Sequence, residues 1–162
     1  MNPSYGHYQG NHNRCTPEQT LRYLGKLSGP FLDRFDLSLE IPLPPPGLLR
    51  QKGITGESSA DVRERVIAAQ TRQYARQNRL NARLDNAGIR QFCSLNMEDA
   101  VWLEETLTRF GLSIRAWQRL LKVARTIADV EGCSDIQRKH LQEALSYRAI
   151  DRLLLHLQKL LA

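Results

Sequence analysis

Four arginines, Arg72, Arg76, Arg79 and Arg83, recur at intervals of four, three and four residues, and on a helix that spacing aligns four guanidinium groups along one face. Gln73, Gln77, Asn78 and Asn81 surround them, and almost no acids neutralise the stretch. Such a row can hold DNA phosphates without regard to base sequence and with a steep salt dependence. It can equally form a solvated face or a contact between subunits, and spacing alone leaves these readings open. Self-contained catalysis is not written into the chain. There is no G-x-x-x-x-G-K-[ST] phosphate loop, no apolar strand ending in paired acids, no H-E-x-x-H and no G-x-S-x-G, the patterns that cradle phosphates, hold zinc or activate a serine. Gly25 and Lys26 lack the glycines and hydroxyl that would make a phosphate loop. His7, His12, His140 and His156 form no cluster with cysteines at metal spacing, so they read as surface or helix-face side chains and no metal site is expected.

The formal charge of +6 and pI near 9.5 favour an acidic partner such as nucleic acid, a nucleotide or an acidic protein surface. A basic soluble protein with no such partner would carry the same balance. With 162 residues, 41% of them hydrophobic and 25% charged, the chain can bury one sizeable core and carry additional segments. Cys15, Cys93 and Cys133 are odd in number and far apart, so reduced thiols are expected rather than a disulfide framework. No stretch approaches the roughly 20 apolar residues of a membrane helix, and the polar start has no secretory core. A cytoplasmic protein follows as the expectation.

The elements that must position these side chains are mainly helices. Residues 1–15 read as loop. Thr16, Pro17 and Gln19 then supply a capping box with proline at the first helical position, ahead of Leu21, Leu24 and Leu27. Residues 31–35 read as a further helical turn. Leu37, Leu39 and Ile41 alternate with polar residues and Pro42 follows, the pattern of a half-buried strand. One strand cannot satisfy its own backbone, so its sheet must lie elsewhere or the strand does not form. Pro42, Pro44, Pro45, Pro46 and Gly47 open a stiff linker.

Beyond the linker, Ser58 or Ser59 can cap a long helix reaching about Arg83, with Val62, Val66 and Ala69 on one face. Residues 87–92 read as a short helix. Asn96 caps the next, with Val101, Leu103, Leu107 and Phe110 apolar and Gly111 as terminator. Ser113 opens another that runs to Gly132, its stripe being Trp117, Leu120, Leu121, Ala124, Ile127 and Ala128. Ser134 and Gln137 read as a second capping box ahead of Leu141, Ala144 and Leu145, and 148–162 are leucine-rich and helical in pattern. Four or five amphipathic helices make a bundle.

Two segments carry a resemblance that covers the chain from its start to about Ala149. The first is Ser28-Gly29-Pro30-Phe31-Leu32-Asp33-Arg34-Phe35-Asp36-Leu37, following Met1-Asn2-Pro3 and Pro17-Glu18-Gln19. The second spans 112–129 and includes Ile114-Arg115-Ala116-Trp117-Gln118-Arg119-Leu120-Leu121. Together they resemble the magnesium-chelatase-like AAA+ ATPases, and most closely those of the ComM/YifB type.

That resemblance implies a mainly α chain: a helical lid domain over 56–162, preceded by a 47–55 linker and by a partly ordered remnant of the α/β core over 1–46. It implies that Asn2 is sensor 1, which helps position the water attacking the terminal phosphate. Arg34 resembles an arginine finger that reaches the nucleotide of a neighbouring subunit, and Arg115 resembles sensor 2, the lid arginine that touches the phosphates in cis. A fixed planar guanidinium offsets charge developing in phosphoryl transfer, which lysine does not match. Without the family, Arg34 reads as an ion pair with Asp33 or Asp36, Arg115 as a solvated arginine, and Asn2 as a turn residue. Family members often carry cysteine pairs after sensor 1, but only Cys15 stands in that region, so no zinc site carries over. The implied parent is a hexameric, ATP- and Mg2+-dependent DNA motor of the branch-migration type acting in natural transformation and recombination. This chain alone, lacking the phosphate loop, is expected to bind no cofactor. The alternatives are the motor subunit of magnesium chelatase and an autonomous basic helical module that binds DNA or protein.

Overall fold

The computed structural model describes residues 16–26, 34–39, 41, 56–110 and 112–148. The chain divides into two compact units, Thr55–Tyr147 and a second comprising Met1–Ile54 with Arg148–Ala162. Among the described residues, a parallel bridge joins Ser38 to Arg148 within that second unit.

In the second unit, helix α1 spans Pro17–Leu24. Its start is the reciprocal box expected from sequence: the Thr16 N–H donates to Gln19 Oε1 at 3.1 Å and the Gln19 N–H to Thr16 Oγ1 at 3.3 Å. The period-two segment was expected to lack its sheet or not to form a strand. Among the described residues it forms only the bridge at Ser38, and Leu37, Leu39 and Ile41 are exposed. The turn expected at 31–35 falls mostly outside the described residues, as do Gly111 and the leucine-rich pattern from 149 onward.

The unit Thr55–Tyr147 is built from α2 (Ser59–Gln77), a 3-10 turn (Asn81–Arg83), α3 (Asn86–Phe92), α4 (Met97–Arg109), α5 (Ile114–Glu131) and α6 (Arg138–Ser146). Four of these helices start on a side chain that accepts an otherwise unpaired backbone N–H: Ser58, Asp85, Asn96 and Ser113 receive Asp61, Gly88, Asp99 and Ala116 respectively. Each such cap is worth about 1 kcal/mol. α6 begins differently from the expected Ser134–Gln137 box. Gln137 is its cap residue, and the Gln137 N–H donates to His140 Nδ1 at 2.9 Å, while Ser134 turns its hydroxyl to Asp135.

α2 stops at Gln77, six residues short of the expected Arg83. Asn78 adopts the left-handed conformation (φ 53°) and returns its N–H to Tyr74 O, a stop that asparagine tolerates better than other side chains. α5 ends on Gly132 (φ 78°), and the Cys133 N–H reaches back to Ala128 O at 2.8 Å, closing the helix as a left-handed glycine cap does.

The core lies around α5. Leu120, Leu121, Ala124 and Ala128 are buried along its stripe, and Leu84, Ile89, Cys93, Leu103, Leu107, Ile136, Leu141 and Ala144 come from the surrounding elements. Trp102, Trp117, Ile127 and Leu145 pack half-buried at its margin. The expected inward face of α2 is only partly realised: Ala69 is buried, whereas Val62 and Val66 are exposed. Where an apolar face would have met the core, α2 instead presents polar side chains to α5.

Candidate functional site

Arg115 is the second residue of α5, exposed, with Ser113 as the cap. The Ser113 hydroxyl accepts the Ala116 N–H at 3.2 Å and its carbonyl accepts the Trp117 N–H at 3.1 Å. No acid stands in the first turn of α5, in contrast to α2 and α4, which carry Asp61, Glu98 and Asp99 there. The positive end of the helix dipole and the Arg115 guanidinium thus reinforce one another. An anion is the ligand such an end accepts. The buried stripe of Leu120, Leu121, Ala124 and Ala128 fixes the helix on which Arg115 rides.

Arg34 is exposed and stands at a turn in the second unit. Asn2 lies outside the described residues.

The arginine row does not persist as one helical face. Only Arg72 and Arg76 are on α2, while Arg79 lies beyond its end and Arg83 closes the 3-10 turn. Arg72 and Arg76 are also turned inward to α5. Asp129, near the end of α5 and 1% exposed, is the focus. Arg76 grips its carboxylate with two nitrogens at 2.6 and 2.9 Å, Asn81 Nδ2 donates at 2.8 Å, and an Arg125 nitrogen lies at 3.1 Å. Arg72 donates to the Asp129 backbone oxygen at 2.9 Å.

Around this focus, Asn81 Oδ1 accepts from Arg76 and Gln77, Asn81 Nδ2 also donates to Thr126 Oγ1, and the Asn81 N–H donates to Gln73 Oε1. Arg125, 2% exposed, donates to the Ser134 and Cys133 carbonyls at 2.7 Å each, leaving its Nε without a partner. Burial pushes the Asp129 carboxyl up, but hydrogen bonds from Arg76 and Asn81 and the charges of Arg125 and Arg76 outweigh it and hold the group below the usual carboxylate range. The cluster is a polar joint between α2 and α5 in which one buried carboxylate, Asp129, gathers Arg76 and Arg125. Sequence reasoning missed Asp129 and Arg125, although one signal was present: a charged pair four residues apart, each directly following an alanine of the buried stripe.

A second cluster also escaped sequence reasoning. Glu131, Cys133 and His140 bring their ligand atoms within 4.8 Å of one another. The proton arrangement opposes metal binding. His140 Nδ1 accepts the Gln137 N–H, so Nε2 carries the proton and donates to Glu131 Oε2 at 3.1 Å. Lys139 occupies the same carboxylate oxygen. Its hydrogen bond, together with that of His140, holds the Glu131 carboxyl below its ordinary range. The group fastens the start of α6 to the end of α5. At the other side of α6, Arg138 pairs with Asp99 and lies 5.1 Å above the Trp102 ring, a cation–π contact that holds the helix against α4.

No helix among the described residues is long and apolar enough to cross a membrane. Comparison with known proteins places a family context on this geometry. The family described as "Magnesium chelatase, subunit ChlI C-terminal" matches residues 56–148, and "Magnesium chelatase, subunit ChlI" matches residues 1–47. The chain is similar to the YifB protein of Escherichia coli, with 74% identity over 162 residues, 99% of this chain and 32% of that protein. It is similar to "Competence protein ComM" of Haemophilus influenzae, with 54% identity over 155 residues, 95% of this chain and 30% of that protein. A Mycobacterium tuberculosis protein is 35% identical over 140 residues, 83% of this chain and 27% of that protein. The chain thus spans about a third of the length of these curated relatives.

Proposed function

Because the chain belongs to the magnesium-chelatase-like family of the ComM/YifB type, we propose that it is the C-terminal part of an AAA+ ATPase, with Thr55–Tyr147 serving as its nucleotide-responsive lid. The observation that carries this reading is the setting of Arg115: exposed, in the first turn of a core-anchored helix, with no acid in that turn. There the guanidinium touches the phosphates in cis as sensor 2. Its fixed charge favours the state in which negative charge builds on the transferred phosphoryl group. Arg34 acts in trans as the arginine finger, and Asn2 positions the attacking water as sensor 1. Arg34 and Arg115 suit an anion and not a magnesium ion, since guanidinium groups only donate hydrogen bonds and do not ligate cations. In this reading the metal and the phosphate cradle are held by polypeptide beyond this chain, and the assembled protein is a hexameric DNA motor of the branch-migration type, working in transformation and recombination.

Alanine at Arg115 in the full-length protein tests the assignment. Turnover should fall at least about tenfold, equivalent to about 1.4 kcal/mol of barrier. Wild-type turnover in that variant would remove Arg115 from the nucleotide site. The magnesium-chelatase motor is the second reading, favoured by the descriptions of both matching families. Its counterweight is 74% and 54% identity to the YifB and ComM proteins. Binding of branched DNA by the full-length protein supports the ComM reading, and its absence supports the chelatase. An autonomous DNA-binding module is less well supported, because Arg72 and Arg76 of its proposed row are engaged with Asp129.

A further inference from the structure

The joint between α2 and α5 sits at the opposite end of α5 from Arg115. Asp129 follows Arg115 by fourteen residues, which on an α-helix is roughly 21 Å. Among the described residues, α2 is the first helix of this unit. The polar contacts from α2 to α5 centre on Asp129, through the two-pronged grip of Arg76 and the Arg72 bond to the backbone oxygen, and the Asn81 amide just beyond the end of α2 joins both Asp129 and Thr126. Apolar packing along α2 is thin, since Val62, Val66 and Ile67 are exposed and Ala69 is its buried hydrophobic residue. Smooth apolar surfaces permit small sliding displacements, whereas a bidentate guanidinium–carboxylate pair fixes both distance and orientation.

We infer that Arg76 is a positioning residue: through Asp129 it locks α2 to α5, so that a displacement of α5 set by phosphate at Arg115 is passed to α2. This rests on the assignment of Arg115 to the nucleotide. Arg76 touches no substrate in this scheme. It therefore affects how binding is converted into turnover, and leaves the phosphate contact itself intact. Arg72, exposed and bound to a backbone oxygen rather than a charge, reinforces the same joint more weakly.

The test uses the full-length protein with Arg76→Ala, Arg76→Lys, Arg72→Ala and Arg115→Ala, measuring affinity for a fluorescent ATP analogue beside kcat and KM for ATP. With Arg76→Ala, analogue affinity should stay within about twofold of wild type while kcat falls about fivefold or more, the range of coupling carried by residues between sites. Arg76→Lys, which keeps the charge and loses the fork, should recover part of kcat. Arg72→Ala should show a smaller loss of the same kind and serves as the readout if Arg76→Ala folds poorly. Wild-type kcat in both Arg76→Ala and Arg72→Ala overturns the inference, as does a loss of binding and kcat in equal proportion to the fraction of unfolded protein. If Arg115→Ala is impaired while these variants are not, only the locking role fails. If Arg115→Ala turns over as wild type, the nucleotide reading itself fails.

Discussion

Asp129→Asn keeps the shape of the side chain and deletes the charge on which Arg76 and Arg125 converge. Arg76 is partly solvated and can turn outward. Arg125, 2% exposed, cannot, and its guanidinium would remain buried against an amide whose own N–H groups are donors. Removing one member of a buried pair typically costs roughly 3–5 kcal/mol, more than the pair contributes relative to apolar residues, because the remaining charge is left without compensation. For a domain of this size each kcal/mol lowers the melting temperature by about 4–8 °C, so a fall of roughly 15–30 °C is expected. Thermal melts of the 162-residue chain followed by far-UV circular dichroism measure it. The acid limb gives an independent reading. Because the folded Asp129 carboxyl is held below its ordinary value, its stabilisation is fully present above the unfolded pKa of about 4 and is lost as pH falls through the folded one. Wild type should therefore lose this increment in acid while Asp129→Asn shows a flatter limb. A destabilisation under about 1 kcal/mol, with the acid limb unchanged, would refute the description of Asp129 as the buried focus of this joint.

Other consequences are separately measurable. Leu103→Ala empties a fully buried position between α4 and the core and should cost about 2–5 kcal/mol in urea denaturation. Gly132→Ala forces a left-handed residue with its new methyl 3.3 Å from the Arg72 guanidinium, and a loss of about 1 kcal/mol is expected in the same assay. The Cys93 thiol, buried and pushed by that burial up to about 11, should resist a thiol reagent at pH 8 in the native chain and react only on unfolding, whereas the partly exposed Cys133 reacts at once.

The helices of Thr55–Tyr147 were legible because each carries its own punctuation. Asn96 and Ser113 announce starts that the structure reproduces as side-chain caps, and the three-and-four spacing of Leu120, Leu121, Ala124 and Ala128 announces the buried stripe. The end of α2 was misread because its arginine periodicity continues past Gln77, while the stop depends on a single left-handed Asn78. Periodicity reports which side chains share a face and says nothing of what faces them. The row therefore looked solvent-directed, and Asp129, more than forty residues away in sequence, was invisible as the acid that draws Arg76 inward. The capping of α6 failed for a similar reason: a histidine nitrogen took the place that a glutamine was expected to fill. The strand pattern at Leu37, Leu39 and Ile41 is a case where local alternation was present and the tertiary partners that would make it a strand were not among the described residues.

The Arg138 guanidinium above Trp102 has an optical corollary. An indole beneath a fixed cation emits differently from one in water, so this ring can serve as a built-in dye that signals whether the first turn of α6 stays seated on α4. Trp117 supplies a second chromophore at the margin of the α5 core, and replacing either tryptophan by phenylalanine would let the other be watched by itself.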